Sequence, residues 1–168
     1  TEGGGMKTIV CDNGLFMVAV HIAHDCIIGN NVILANNASL GGHVHVGDYA
    51  IIGGLSGVHQ FVRIGAHAVV GGTSGVENDV IPYGRVKGER AFLAGLNLIG
   101  LERRGFTKDQ IKTLQRAFNR LFGDDGTMEQ RLEAVANEYS GETAVMEMIN
   151  FAREKTRFPL CQPPRKAA

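Results

Sequence analysis

Apolar positions recur along this chain every six residues. From Val10 the column reads Val10, Phe16, Ile22, Ile28, Leu34, Leu40, Val46, Ile52, Val58, Ile64, Val70 and Val76, all large and apolar. Four residues further on, a second column runs Gly14, Val20, Cys26, Val32, Ala38, Val44, Ala50, Ser56, Val62, Ala68, Ser74 and Val80, small or medium throughout. The residue after the aliphatic is often glycine, as at Gly29, Gly41, Gly47, Gly53, Gly65 and Gly71. A period of six is neither the helical 3.6 nor the strand period of two. It fits a short flat strand followed by a bend. The aliphatic points inward and the smaller residue fills the corner. Glycine relieves the turn, through positive φ or close backbone approach. Repeats of this kind stack into a parallel β-helix, because no single coil can bury its own face. Periodicity leaves the hand of the helix open, although crossovers between parallel strands are usually right-handed.

Three hexads per coil give a triangular prism whose faces start at Val10, Phe16 and Ile22. The third face then holds the hexads from Ile22, Leu40, Val58 and Val76. On this map His24 lies on the third face, and His21 at the corner just before it. Gly42 and Gln60 take the slot of His24 one and two coils on, at about 4.8 Å per coil. His43 and His59 flank those slots. His45 ends a third-face hexad and His67 lies on a different face; both read as bland. All six histidines lie in the repeat.

The pattern stops at Ile81, and Pro82-Tyr83-Gly84 breaks it. The expected organisation is a β-helix over 1–82, a linker over 83–91 and an α-helical domain over 92–168. Phe92 to Arg104 reads as a first helix, closed by Gly105. Thr107 to Gln110 and Thr127 to Gln130 form capping boxes. Ile111, Leu114, Ala117, Phe118, Leu121 and Phe122 make an apolar stripe at helical spacing. A third helix carries Leu132, Val135, Ala136 and Tyr139; a fourth carries Val145, Met148, Ile149 and Ala152. The tail with Pro159, Pro163 and Pro164 is expected to fray.

Composition narrows the function classes. Lys plus Arg and Asp plus Glu are 17 each, so no global charge favours nucleic acid or an anionic membrane. No stretch is apolar and long enough to span a bilayer, and Thr1 does not open a signal peptide. The three cysteines, Cys11, Cys26 and Cys161, have no CxxC spacing and suggest no disulfide framework. A reducing cytoplasm is the expected compartment. Arg85, Lys87 and Arg90 suit either a solvated linker or an acidic carrier protein.

Several segments together resemble the UDP-N-acetylglucosamine O-acyltransferases of bacterial lipid A biosynthesis. They are the hexads, His21-Ile22-Ala23-His24-Asp25-Cys26, the run Ile33 to Val44, Val58-His59-Gln60-Phe61, Gly95-Leu96-Asn97 and Leu101 to Phe106. The resemblance implies a left-handed parallel β-helix followed by a small α-helical domain, assembled as a homotrimer. It implies transfer of a 3-hydroxyacyl group from acyl carrier protein to the sugar 3-hydroxyl of UDP-N-acetylglucosamine, with no cofactor and no metal. His24 matches the family's general base, Asp25 its partner and Gly42 the oxyanion donor. His21, His43, His59 and Gln60 match positions around the substrate. Asn97, Arg103 and Arg104 match positions that meet the nucleotide. Gly72 and Arg90 match positions that limit the acyl chain.

The chemistry of these residue types agrees. A sugar hydroxyl attacks poorly until a base takes its proton, and free histidine titrates near pH 6.5. A tetrahedral intermediate needs N–H donors for its oxyanion, and arginine presents a planar fork to phosphate. Two features depart from the family. Thr1 aligns within the family's β-helix, so an N-terminal truncation is expected, which would remove an acidic residue, a lysine and a histidine of the site. Ile99 and Arg90 stand where some relatives carry Glu and His. Three rival readings remain: a zinc enzyme of the carbonic-anhydrase type on the same β-helix, the related N-acyltransferase, and a non-catalytic assembly module.

Overall fold

A computed structural model describes residues 5 and 7–164. Twelve two-residue strands open it: β1 (Ile9–Val10), β2 (Leu15–Phe16), β3 (His21–Ile22), β4 (Ile27–Ile28), β5 (Ile33–Leu34), β6 (Ser39–Leu40), β7 (His45–Val46), β8 (Ile51–Ile52), β9 (Gly57–Val58), β10 (Arg63–Ile64), β11 (Val69–Val70) and β12 (Gly75–Val76). They form three parallel faces. The first is β1-β4-β7-β10, the second contains β2-β5-β8-β11, and the third is β3-β6-β9-β12. Ile9 pairs with Ile27, Leu15 with Ile33 and His21 with Ser39, so each coil takes the eighteen residues that three hexads require.

Both repeat columns point inward. From Ile28 onward the aliphatics are buried, and from Cys26 onward so are the smaller residues, Ser56 and Ser74 included. The axis is thus filled coil by coil, which turns the short strands into one continuous core. Val10 and Phe16, at the β1 end of the same column, remain 44% and 39% exposed.

The turns decide between the two roles expected of glycine. Positive φ falls on Asn13, Asp25, Asn31, Asn37, His43, Tyr49, Leu55, Phe61, His67 and Thr73 among others, and on none of the repeat glycines. Those glycines stand earlier in the hexad, where the next coil comes close. A Cβ on Gly41 would lie 2.7 Å from the Gln60 amide nitrogen. Close approach is therefore what glycine supplies, while non-glycine residues accept the left-handed turn. From Asn31 onward these residues are held there by the ladder: His43 N–H donates to the His24 carbonyl at 3.0 Å, and Phe61 N–H to that of Gly42 at 2.9 Å.

Beyond the repeat, β13 (Gly84–Lys87) adds to the second face, parallel to β11, and β14 (Phe92–Leu96) pairs antiparallel with it. Two expectations change here. The segment 83–91 contains a paired strand, and the helix expected from Phe92 begins only at α1 (Leu98–Arg103). Three helices follow: α2 (Lys108–Leu121), α3 (Met128–Glu138) and α4 (Thr143–Arg153). Both capping boxes form, and the apolar stripes of α2, α3 and α4 are the buried faces. No helix among the described residues is long and apolar enough to cross a membrane.

The tail, expected to fray, is tied down by backbone hydrogen bonds as far as Gln162; 165–168 lie outside the described residues. Asp79 N–H donates to the Pro159 carbonyl at 3.0 Å, Cys161 N–H to that of Asp79 at 2.7 Å, and Leu93 N–H to that of Gln162 at 2.9 Å. The fully buried Asp79 carboxylate accepts from Arg63 Nε (2.9 Å), the Arg63 amide (2.8 Å) and Thr156 Oγ1 (2.8 Å). Arg63 also pairs with Glu154 and donates to the Phe151 carbonyl. This network ties the last segment and α4 to the first face.

Candidate active site

The turns between third-face and first-face strands stack into one corner: His24-Asp25, Gly42-His43 and Gln60-Phe61. The corner and face assignments made from the sequence are reversed. His21 is a strand residue on the third face, and His24 sits in the turn. The hexad period fixes which residues point inward, and it leaves the phase of the turn open.

In this corner His24 Nδ1 lies 2.9 Å from Asp25 Oδ2. The Asp25 side chain is 6% exposed and that of His24 is 58% exposed. A buried carboxylate fixes the ring and an accessible imidazole faces solvent. With Nδ1–H donated to Asp25, Nε2 is left as the basic nitrogen. Gly42 stands against it: a Cβ there would lie 2.7 Å from His24 Cε1 and 2.8 Å from Nε2. The absent side chain is the space the ring occupies. The Gly42 N–H makes no hydrogen bond among the described residues. A basic nitrogen and an open amide donor are thus side by side.

His43 continues the cluster. Its ring meets His24 edge-on at 5.1 Å and stacks on Phe61 at 4.5 Å. Its Nε2 is 3.9 Å from Asp25 Oδ2. His24, Asp25 and His43 each offer a ligand atom within 4.8 Å of one another, and are the group among the described residues with metal-ligand geometry. Gln60 occupies the next turn.

An open groove of about 430 Å³ runs down the third face beside this corner. It brings together His21 and His59, with Leu40, Gly41 and Val76 between them and Glu77 beyond. Arg90 Nη1 donates to both oxygens of Glu77, at 3.0 and 3.2 Å. Gly72 sits in a different corner, after β11, where a Cβ would lie 3.3 Å from the Gly54 carbonyl oxygen.

The remaining candidates lie at the corner after the first-face strands. There Tyr49 and His67 stack at 4.9 Å, and His67 and Tyr83 at 5.5 Å. Arg104 Nη2 donates to the Tyr49 carbonyl at 2.8 Å, with its guanidinium 5.4 Å from the Tyr49 ring. Asn97 is buried; it donates to the His67 carbonyl at 2.9 Å and accepts from the Gly100 amide, capping α1. Arg103 is exposed. Asn97 and Arg104 are therefore engaged in docking α1 onto the β-helix, and Arg103 is the freer guanidinium. Burial, and next the Arg104 charge, pushes the His67 imidazole below its ordinary range. Burial, and next Arg63, does the same to His45, which helps line a cleft of about 880 Å³ between the first face and α4.

Within one chain, His24 and Arg104 occupy different corners, with the first face between them. Sequence reasoning missed three contributors: Phe61 as the ring under His43, Arg157 over Phe61 at 3.9 Å, and Phe158 edge-on to His59 at 5.3 Å. Nothing in the sequence pattern signals the last two, because the tail lies outside any repeat.

Comparison with known proteins bears on this arrangement. Residues 79–161 match the family described as UDP N-acetylglucosamine O-acyltransferase, domain 2. The acyl-[acyl-carrier-protein]--UDP-N-acetylglucosamine O-acyltransferase of Caulobacter vibrioides is 49% identical over 98% of this chain and 62% of its own. That of Paracoccus denitrificans is 48% identical over 90% and 57%. Among solved structures, the Arabidopsis UDP-N-acetylglucosamine acyltransferase superposes with a TM-score of 0.88 at 41% identity, covering 93% of this chain and 57% of that one. The Campylobacter jejuni enzyme gives 0.85 at 40%, covering 91% and 59%. The chain therefore spans less than two thirds of the length of these relatives. By the stacked coils and helices, and by identity over nearly all of its own length, it belongs to the UDP-N-acetylglucosamine O-acyltransferase family.

Proposed function

We propose that this chain carries the reacting centre of an enzyme that moves a 3-hydroxyacyl group from acyl carrier protein to the 3-hydroxyl of UDP-N-acetylglucosamine, the first step of lipid A biosynthesis. The observation that carries this reading is the His24–Asp25 pair set against Gly42. Asp25 holds Nδ1–H, so Nε2 takes the proton as the sugar oxygen attacks the thioester carbonyl. The C–O bond forms and the carbonyl electrons move to oxygen, where the Gly42 N–H stabilises the charge. Collapse breaks the C–S bond, and the imidazolium returns its proton to the departing thiolate. His21, His43, His59 and Gln60 surround the substrate, Gly72 and Arg90 bound the acyl chain, and Asn97, Arg103 and Arg104 serve the nucleotide. No step calls for a metal.

The separation of the histidine and arginine corners supports a homotrimer, in which one corner of each copy meets the other corner of its neighbour. So does the outward ladder Leu15-Ile33-Ile51-Val69 on the second face, whose Leu15 is 50% exposed. Both substrates are water-borne, which fits a cytoplasmic enzyme. The test is acyl transfer by the intact protein. His24→Ala is expected to cut turnover by about 10²- to 10⁴-fold and leave the oligomer unchanged by light scattering. Retained turnover removes His24 from the role of base.

A further inference from the structure

The guanidinium beside the histidine corner comes from the far end of the chain. Arg157 Cζ lies 3.9 Å from the centroid of Phe61, the ring that carries His43 at 4.5 Å. The Arg157 and His43 groups are no farther apart than those two lengths together. His24 stands 5.1 Å beyond His43. These contacts link Arg157 to His24 through Phe61 and His43 within the one corner.

The backbone carrying Arg157 is fixed on both sides. Thr156 Oγ1 donates to the buried Asp79 carboxylate at 2.8 Å. On the other side the Phe158 ring meets His59, and Pro159 accepts from the Asp79 amide. Arg157 itself is exposed, and among the described residues it makes no ion pair and no hydrogen bond. In this it differs from Arg63 and Arg90, whose guanidinium groups are held in ion pairs. A guanidinium stacks through its face and hydrogen-bonds through its edge, so a stacked arginine keeps its donors for a ligand. A fixed, unpaired fork next to a basic imidazole suits a phosphate on the molecule whose hydroxyl that imidazole activates.

We propose that Arg157 is a phosphate-binding residue of the reacting site. The phosphate is the diphosphate of the nucleotide sugar or the phosphate of the carrier's prosthetic arm. This rests on the acyltransferase reading above for the identity of the substrates.

The test compares the intact wild-type protein with Arg157→Gln and Arg157→Lys. UDP is titrated by calorimetry, and KM is measured for UDP-N-acetylglucosamine and for acyl carrier protein. In Arg157→Gln the UDP Kd and the nucleotide-sugar KM are expected to rise about tenfold, with kcat within about twofold and partial recovery in Arg157→Lys. A rise confined to the carrier KM assigns the phosphate to the carrier and upholds the proposal. Both KM values and the UDP Kd staying within about twofold of wild type overturn it. So does a fall in kcat alone with a displaced pH profile, which marks a positioning role through Phe61 and His43. UDP binding that depends on Arg157 in a protein with no acyl transfer overturns the acyltransferase reading and leaves this one standing.

Discussion

Gly42→Ala isolates the geometry on which the proposed chemistry depends. Gly42 is outside the positive-φ set, so the backbone accepts alanine there without strain. The N–H donor is kept. What changes is space: the new methyl would lie 2.7 Å from His24 Cε1 and 2.8 Å from Nε2, where ordinary contact begins at 3.4 Å. The ring must retreat by about 0.7 Å on that side. Its Nδ1 sits 2.9 Å from Asp25 Oδ2, and a shift of that size takes the pair out of hydrogen-bond range or turns the ring. A misplacement near 1 Å costs on the order of 10²-fold in rate, about 2.7 kcal/mol of barrier. Stability should hardly move, because the exposed His24 ring can swing toward solvent. The control is the neighbouring Gly41→Ala, whose methyl would lie 2.7 Å from the Gln60 amide nitrogen. Backbone there cannot swing aside, so a cost of about 1–3 kcal/mol is expected, at about 2–4 °C of Tm per kcal/mol. Steady-state acyl transfer and calorimetry separate the two. Gly42→Ala retaining more than about a third of wild-type kcat/KM would refute the argument, as would an activity loss that merely follows its Tm.

Three further outcomes are expected. Asp79→Asn should cost about 3–5 kcal/mol in denaturant unfolding, because it strips the charge from a buried pair with Arg63; a loss under about 1 kcal/mol, the worth of a surface pair, would show that the network is not structural. His67 is held neutral by burial and by Arg104, so its folded pKa lies below the ordinary 6.5. The unfolded state then binds the extra proton first, and stability present above 6.5 is lost as pH falls toward the folded pKa. His67→Phe, which keeps the stack with Tyr49 and Tyr83, should flatten that slope in Tm measured from pH 7 to 5, and an unchanged slope would assign it elsewhere. Burial pushes the Cys161 thiol up to about 11, so it should react with a disulfide reagent only on unfolding; rapid modification in the native protein contradicts its burial.

Much of the fold was legible because its organising signal is a period. The inward columns and the eighteen-residue register follow from the spacing of Val10 to Val76, and the placement of Gly42 beside His24 follows from the register. The turn phase was not legible: an aliphatic every six residues is compatible with a bend on either side of it. Which of glycine's two expected roles applies was open for a related reason. Backbone hydrogen bonds from coil to coil hold His43, Tyr49 and Phe61 in a conformation that local propensity would assign to glycine. The β13–β14 pair was hidden because residues 89–104 contain good helix formers, and an available sheet edge at β11 outweighed them. The tail contacts depend on Asp79, a single buried carboxylate whose partners lie far away in sequence.

The stacking of the corners has a consequence for how such a molecule can change length. His24 and Gly42 are neighbours because one coil separates them. A coil duplicated before β3 or after β9 would lengthen the prism by about 4.8 Å and leave that distance untouched. The same eighteen residues inserted between β3 and β6 would part the base from its amide donor while preserving every inward side chain. Growth along the axis is therefore neutral to the base and its donor everywhere except across that one seam, while a coil added after β9 would carry Gly72, Arg90 and Arg157 one step away from them.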